Sequence, residues 1–430
     1  MQSVGGESSG CVRAKNPNRK FKDRERKMFI SKSNWFLIRI RPLWQMKQNR
    51  RLEKKRINRR LEAIGWKVTS YDVSKPLSFY TSHAIEEYPT PSGPADYALV
   101  NHGQIIAVVE AKKLTVGPQN VLVQAQRYSK GVEDSSFNFN GFRVPFIYST
   151  NGEIFWFQDV RKPDSRSRKV SGFHTSGALR EILEKDIEPC CNWFKINPNR
   201  HPRLRPYQIE ANDAVEEAIC AGKRRLMLAM ATGTGKTYTA VSQIYRLMES
   251  GLAKRILFLV DRRALAAQAV QAFATFETKP GMKFDQNYEV YSQRFKREDF
   301  GEEEKFDFKV LPNNYLTNPQ PGHAFVYVCT IQRMRANLFG WQNAFELTDQ
   351  DVDDESEATR EDIPIHAFDV IIADECHRGY TAQEISKWRE VLEHFDAIQI
   401  GLTATPAAHT TAYFKDIVYR YEYERAVREG

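Results

Sequence analysis

Apolar and polar positions follow two regimes along the chain. In the second half, nearly uninterrupted apolar runs recur at Leu226–Ala231, Arg255–Val260, Phe325–Thr330, Asp369–Ala373 and Ile398–Leu402. A run without alternation marks a strand covered on both faces, as in a buried parallel sheet. Helical spacing fills the gaps. Gln208–Ala221 stops at Gly222. Val241, Ile244, Tyr245 and Met248 share one side of a helix that opens at Lys236 and stops at Gly251, and Asp261-Arg262-Arg263 caps a third helix through Ala272. Elements in this order predict a doubly wound parallel-sheet α/β lobe over residues 204–430.

The first half reads differently. A helix runs from Leu52 to Ala63 and ends at Gly65. Pro94-Ala95-Asp96 leads into a strand Tyr97–Val100, a turn Asn101-His102-Gly103 and a second strand Gln104–Glu110. Asn151-Gly152 joins the strands Phe146–Thr150 and Glu153–Phe157 as a hairpin. The aromatic triplet Phe155-Trp156-Phe157 alternates without basic neighbours, so it reads as core packing rather than a base-stacking platform. Residues 161–172 read as a basic, Ser-rich loop. A helix around Ala178–Ile187 follows, and Asn197-Pro198-Asn199 marks a turn. Four regions are expected: a basic extension over 1–45, a small sheet-based domain over 46–187, a linker over 188–203, and the α/β lobe over 204–430. Two polar inserts interrupt the lobe, 278–323 with its charged run REDFGEEEKFDFK, and the acidic 348–362, a solvated loop.

Composition changes this picture little, being 41% hydrophobic and 27% charged, and no apolar stretch reaches the length of a membrane span. Charge matters once it is divided. Residues 1–60 hold 19 Lys and Arg against 4 Asp and Glu, so the remaining 370 residues carry 44 against 50 and the overall +9 is an N-terminal property. The stretch 47–60, KQNRRLEKKRINRR, could grip phosphates, but it reads somewhat better as a solvated helix face. The six cysteines form no C-x-x-C pair and no zinc spacing, so reduced thiols in a cytoplasmic protein are expected.

Candidate chemistry concentrates at strand ends. After Leu226–Ala231 come Thr232, Gly233, Thr234, Gly235, Lys236 and Thr237, a glycine turn opening a helix. Backbone N–H groups and the helix N-terminus face an anion there. Lys236 reaches the β- and γ-phosphates of ATP, and the Thr237 hydroxyl ligates Mg²⁺. Met230 occupies the first glycine position of the strict pattern. Asp374-Glu375-Cys376-His377 follows the strand Asp369–Ala373. It supplies a carboxylate for Mg²⁺ (Asp374) and one to orient water at the γ-phosphate (Glu375). In the first half, Asp96 opens one strand while Glu110 and Lys112 end its neighbour two apart, on one face. Two carboxylates and a lysine so placed can hold Mg²⁺ and orient an attacking water. Gln124 and Tyr128 share the face of the next helix.

The A-T-G-T-G-K-T loop, the D-E-C-H run, the T-A-T run at Thr403 and Thr405, and Arg205-Pro206-Tyr207-Gln208 resemble the motifs of superfamily 2 helicases and translocases. The resemblance implies that Arg205, Tyr207 and Gln208 recognise adenine, with Gln208 on its edge. It implies that His377, Thr403 and Thr405 couple ATP state to DNA, and that Arg262, Gln332 and Arg333 lie against the DNA. Asp96, Glu110 and Lys112 resemble a D…ExK nuclease, and with Gln124 and Tyr128 the order resembles the R subunit of type I restriction enzymes over residues 50–430. That resemblance implies a D…ExK restriction-nuclease-like domain followed by a RecA-like ATPase lobe. It implies ATP-driven movement and Mg²⁺-dependent cleavage of double-stranded DNA. The partners would be modification and specificity subunits, with S-adenosylmethionine on the modification partner. Glu62 is a further candidate acid of the metal site. A second RecA-like lobe, expected to begin near Ala426–Gly430, would supply arginine fingers worth roughly 10³–10⁵ in rate, so residues 1–430 alone are expected to hydrolyse ATP poorly. The alternatives are another superfamily 2 helicase–nuclease, in the form of a single-chain restriction enzyme or a repair translocase, or a catalytically idle DNA-binding fragment.

Overall fold

The computed structural model describes residues 52–111, 118–163, 165–294, 309–340, 360–376 and 382–429. Residues 58–430 form one compact unit, and of the unit before it the described part is the opening of helix α1, residues 52–63. No helix among the described residues is long and apolar enough to cross a membrane.

Two sheets organise the unit. The first runs in chain order, β1 (Lys67–Ser70), β2 (Ser82–Tyr88), β3 (Ala95–Asn101), β4 (Gln104–Ala111), β5 (Phe146–Thr150), β6 (Phe155–Asp159) and β7 (Arg168–Val170). Only β1–β2 and β4–β5 are parallel. Helix α2 (Pro118–Gly131) makes the β4-to-β5 crossover and lies across both strands. The β3–β4 turn is the pair His102-Gly103, both at positive φ (44° and 78°), which suits the right-handed twist of a hairpin. Ile85, Ala98, Val108 and Ile147 meet Ala125 of α2 on one face. The other face is aromatic, with Phe146, Tyr148, Phe155 and Phe157 packed towards Phe173 and His174.

The second sheet is parallel throughout. Its strands are β8 (Arg225–Met230), β9 (Arg255–Val260), β12 (Glu289–Ser292), β13 (Lys309–Val310), β14 (Phe325–Thr330), β15 (Val370–Asp374), β16 (Ile398–Thr403) and β17 (Asp416–Tyr421), in the order β13-β12-β14-β9-β15-β16-β8-β17. A separate antiparallel pair, β10 (Glu277–Lys279) and β11 (Met282–Lys283), precedes β12. Helices α5 (Pro206–Cys220), α6 (Lys236–Glu249) and α7 (Arg263–Thr275) cover one face of the sheet. Residues from Ile331–Phe339, Ala382–His394 and Ala408–Phe414 cover the other. This is the doubly wound lobe that the apolar runs predict.

Five expectations need correction. The supposed linker holds α4 (Ile187–Ile196), whose Cys190 and Phe194 join the core of the second sheet. The basic loop holds β7. The β5–β6 connection is longer than a two-residue turn, because Asn151 Oδ1 accepts from both Glu153 N and Ile154 N and delays β6 to Phe155. The first polar insert adds two strands, β12 and β13, to the sheet, although 297–308 of its charged run, like 348–359 of the acidic insert, lies outside the described residues. Cys191 of α4 and Cys220 of α5 form a disulfide across 5.8 Å between Cα atoms. Spacing could not show that these two helices meet.

The two sheets meet through charge. Asp396, just ahead of β16, has a side chain only 4% exposed and accepts both Arg168 Nε and Arg168 Nη2 at 2.7 Å. Arg224, ahead of β8, donates to it at 2.9 Å, and His174 Nε2 lies at 3.0 Å. Tyr148 Oη stands 2.6 Å from His174 Nδ1, so a neutral ring accepts from the phenol and donates to the carboxylate. Burial opposes ionisation of Asp396, but Arg168 and Arg224 outweigh it and hold the carboxyl well below its ordinary value. Beside this node Arg255 at the start of β9 reaches Glu181 of α3 (Ser176–Glu184) at 3.0 Å, and Ser171 Oγ donates to His394 O at 2.6 Å. Every contact from the second sheet comes from the end where its strands begin.

Burial lowers His174, His366 and His394 below the ordinary imidazole value of 6.5, His366 furthest because the neighbouring His174 adds to the effect. All three are neutral when folded and take up protons on unfolding. Stability is therefore full above about pH 6.5 and falls as pH drops below it, by up to about 1.4 kcal/mol per pH unit for each histidine. Urea unfolding between about pH 7.5 and pH 5.5 should show this loss, and His394→Gln should flatten it by one proton's share. Equal stability at both ends of that range would refute the assignment.

Candidate functional site

The phosphate-type loop is built at the end of β8. Thr234 Oγ1 donates to Ala231 O at 2.7 Å, and Gly235, the residue before α6, takes φ 77°. Thr232 and Gly233 are exposed and Thr237 is half-buried. From α5, Tyr207 Oη and Gln208 Nε2 both donate to Thr234 O, at 3.1 and 2.9 Å, while Gln208 Oε1 accepts from Arg205 N. Arg205 also reaches Tyr207 Oη at 3.3 Å, and Tyr207 stacks on Tyr421 at 3.9 Å. Sequence resemblance places Gln208 on an adenine. In the structure both ends of its amide brace the loop and the turn before α5.

Opposite the loop, Asp374 ends β15 and is 5% exposed, with Oδ1 accepting from Glu375 N at 3.0 Å. Glu375 adopts φ 53°, and its Oε1 lies 3.1 Å from Lys236 Nζ. A buried lysine held by a carboxylate beside a helix N-terminus is a site whose cation has a stand-in partner, which fits a phosphate with Mg²⁺. Burial pushes the Cys376 thiol up, and its Sγ would lie 3.0 Å from a Cβ placed on Gly401. Thr403 is buried at the end of β16 and accepts from Thr405 N, while Thr405 is exposed. Arg262 is exposed after β9, and its nearest carboxylate is Asp261 at 3.5 Å. Gln332 and Arg333 are half-buried in the first turn after β14, where Thr330 Oγ1 caps Arg333 N. His377 lies outside the described residues. All the others stand on one edge of the sheet, where its parallel strands end, as ligand sites in such sheets do.

The carboxylates of the first sheet form a second site. Tyr97 pairs with Val109 and Ala98 with Val108, so Asp96 and Glu110 come next along the ladder, opposite one another on one face. Both are buried, at 6% and 4% exposure, and Asp96 Oδ2 accepts from Ala111 N at 2.8 Å. In β5 the partner of Glu110 is Ser149, which is fully buried. Helix α2 covers this face, and its Gln124 Nε2 donates to Tyr128 Oη at 2.6 Å. Lys112 lies outside the described residues.

Glu62 is exposed on α1. The acid tied to that helix is Glu86, held by Asn58, which also accepts from Tyr97 Oη. Glu86 pairs with Tyr97 and so faces away from Asp96. Glu87, at φ 52°, lies between Glu86 and Tyr88, which pair with Tyr97 and Ala95, so it is the β2 residue alongside Asp96. Among the described residues no three His, Cys, Asp or Glu side chains converge as a metal cage. Two buried carboxylates on one face nevertheless offer the hard oxygen donors that Mg²⁺ takes.

Known proteins match both halves. The family described as type III restriction enzyme, res subunit, matches residues 201–408, and that described as the second domain of the type I restriction enzyme EcoKI endonuclease subunit matches residues 78–183. The EcoKI endonuclease subunit of Escherichia coli (strain K12) is 32% identical over 87% of this chain and 34% of its own length. The EcoAI endonuclease subunit of Escherichia coli is 30% identical over 76% of the chain and 35% of its own. A solved nuclease-deletion mutant of the type ISP restriction-modification enzyme LlaGI, in complex with a DNA substrate mimic, aligns over 53% of the chain and 20% of its own at 20% identity and TM-score 0.36. Fold and family matches together define a restriction-enzyme protein whose second half is built on a doubly wound parallel sheet. The chain belongs to the type I restriction enzyme endonuclease subunits, and it spans about a third of the length of the curated relatives it matches.

A Cβ on Gly235 would lie 2.6 Å from Gln208 Nε2 and at a φ that side chains rarely adopt. Gly235→Ala should therefore lower stability by about 1–3 kcal/mol and abolish the thermal shift produced by Mg²⁺-ATP. Unchanged nucleotide binding would show that this hinge does not form the cradle.

Proposed function

We propose that the chain is the ATP-dependent DNA-cleaving motor subunit of a type I restriction-modification system. The observation that carries this reading is the pairing, within one compact unit, of the Lys236–Glu375 phosphate cradle with the Asp96–Glu110 face of a separate sheet. Residues 46–187 are the endonuclease module and residues 204–430 a RecA-like motor lobe.

At the motor site Lys236 and the α6 N-terminus bind the β- and γ-phosphates, and Thr237 and Asp374 hold Mg²⁺. Arrival of the γ-phosphate takes Lys236 from Glu375, which turns to orient the attacking water. Thr403 and Thr405, with His377, pass that change to the strand-end edge, where Arg262, Gln332 and Arg333 face the backbone of duplex DNA. Tyr207 and Gln208 stay under the phosphate loop, with Arg205 at the adenine end. At the nuclease site Asp96 and Glu110 hold Mg²⁺, which supplies charge for phosphodiester hydrolysis. Lys112 orients the water there, and Gln124 and Tyr128 brace the face from α2. Modification and specificity subunits in the cytoplasm choose the DNA sequence, with S-adenosylmethionine bound by the modification subunit.

The two sites should fail separately. In a complex reconstituted with modification and specificity subunits, Asp96→Asn is expected to abolish Mg²⁺-dependent DNA cleavage and spare ATP hydrolysis. Lys236→Ala should abolish ATP hydrolysis and ATP-driven movement. Cleavage that survives Asp96→Asn removes the nuclease assignment; hydrolysis that survives Lys236→Ala removes the motor assignment.

A further inference from the structure

Ser149 has no role in the reading so far, yet its position is unusual. It is fully buried, and among the described residues its Oγ has no hydrogen-bond partner. A hydroxyl sealed from water and left unpaired is unfavourable unless something absent from the protein alone completes it.

Its surroundings say what that is. Ser149 pairs with Glu110 in the parallel β4–β5 ladder, so the two stand on adjacent strands about 4.8 Å apart and on the same face. Ile147, two residues earlier, packs with Val108 and Ala125 on the α2 side, which fixes that face for Ser149 as well. The antiparallel ladder puts Asp96 on the far side of Glu110. Asp96, Glu110 and Ser149 therefore form a row across β3, β4 and β5, two anionic oxygen donors and one neutral one.

Building on the nuclease reading, we propose that Ser149 is an oxygen ligand of the divalent cation held by Asp96 and Glu110. A neutral hydroxyl suits this place. It fills a coordination position of a hard cation without adding a third negative charge to a buried pair. Trp156, its β6 neighbour, closes the row beyond it, half-buried against the apolar cluster of that face.

The test is Mn²⁺ titration of the 430-residue chain by calorimetry, without nucleotide, in an Asp374→Asn background that silences the motor's metal site. Ser149→Ala should weaken Mn²⁺ binding roughly tenfold while the metal-free melting temperature stays level or rises, because an unpaired hydroxyl has been removed. Ser149→Cys should shift preference from Mg²⁺ towards Cd²⁺, since a thiolate is a soft ligand. A purely structural serine predicts the reverse, with a lower metal-free melting temperature and no change of metal preference. Asp96→Asn separates the two layers of the argument. If it leaves the Mn²⁺ isotherm unchanged, the nuclease reading falls. If it abolishes binding while Ser149→Ala and Ser149→Cys change nothing, only the ligand role of Ser149 falls.

Discussion

A single buried carboxylate, Asp396, holds the two sheets of this protein to each other. It takes a two-pronged grip from Arg168, a third bond from Arg224 and a fourth from His174. Two positive partners against one negative charge keep it ionised despite burial, and removing one side of such a group typically costs about 3–5 kcal/mol. The seam around it is polar, with Glu181, Arg255, Asp369 and Lys185 extending the network. Charged pairs cross it, Arg168 to Asp396 and Arg255 to Glu181, so charge geometry shapes the placement of the sheets. That placement leaves the strand-end edge of the parallel sheet clear for the phosphate loop.

The phosphate loop depends on a second kind of constraint. Thr234 O receives two donors from α5, and the Tyr207–Tyr421 stack fastens α5 to the edge strand β17. The loop is thus shaped before any ligand arrives, which lowers the ordering cost of binding an anion. Gly401 makes a comparable demand in β16, where Phe414 and Cys376 press so close that a Cβ would meet them at 2.8 to 3.0 Å.

Legibility followed the range of the interactions. β3, β4, β8, β9 and β14 are continuous apolar runs whose burial is written in their own residues, and the glycine turn before α6 is local. What escaped notice depends on distant partners. Arg168 lies in a basic stretch that looks solvated, and its carboxylate is 228 positions away. Asp396 sits between Phe395 and Ala397 with no motif around it. Helix α4 was hidden because Pro189 and two cysteines blur its pattern, and the partner of Cys191 is on the next helix. Of the candidate sites, the chain order of motifs was readable. The bracing use of Gln208, the outward turn of Glu86 and the unpaired Ser149 were not, because each is settled by which strand lies alongside.

Three central strands of the parallel sheet have a residue of the polar seam at one end and a residue of the proposed nucleotide site at the other. Arg224 and the phosphate loop flank β8, Asp369 and Asp374 bound β15, and Asp396 and Thr403 bound β16. A six-residue strand is about 20 Å long and stiff along its axis. The sheet is thus a set of parallel struts, and a displacement at the proposed nucleotide site would run along three strands to the polar seam with the first sheet.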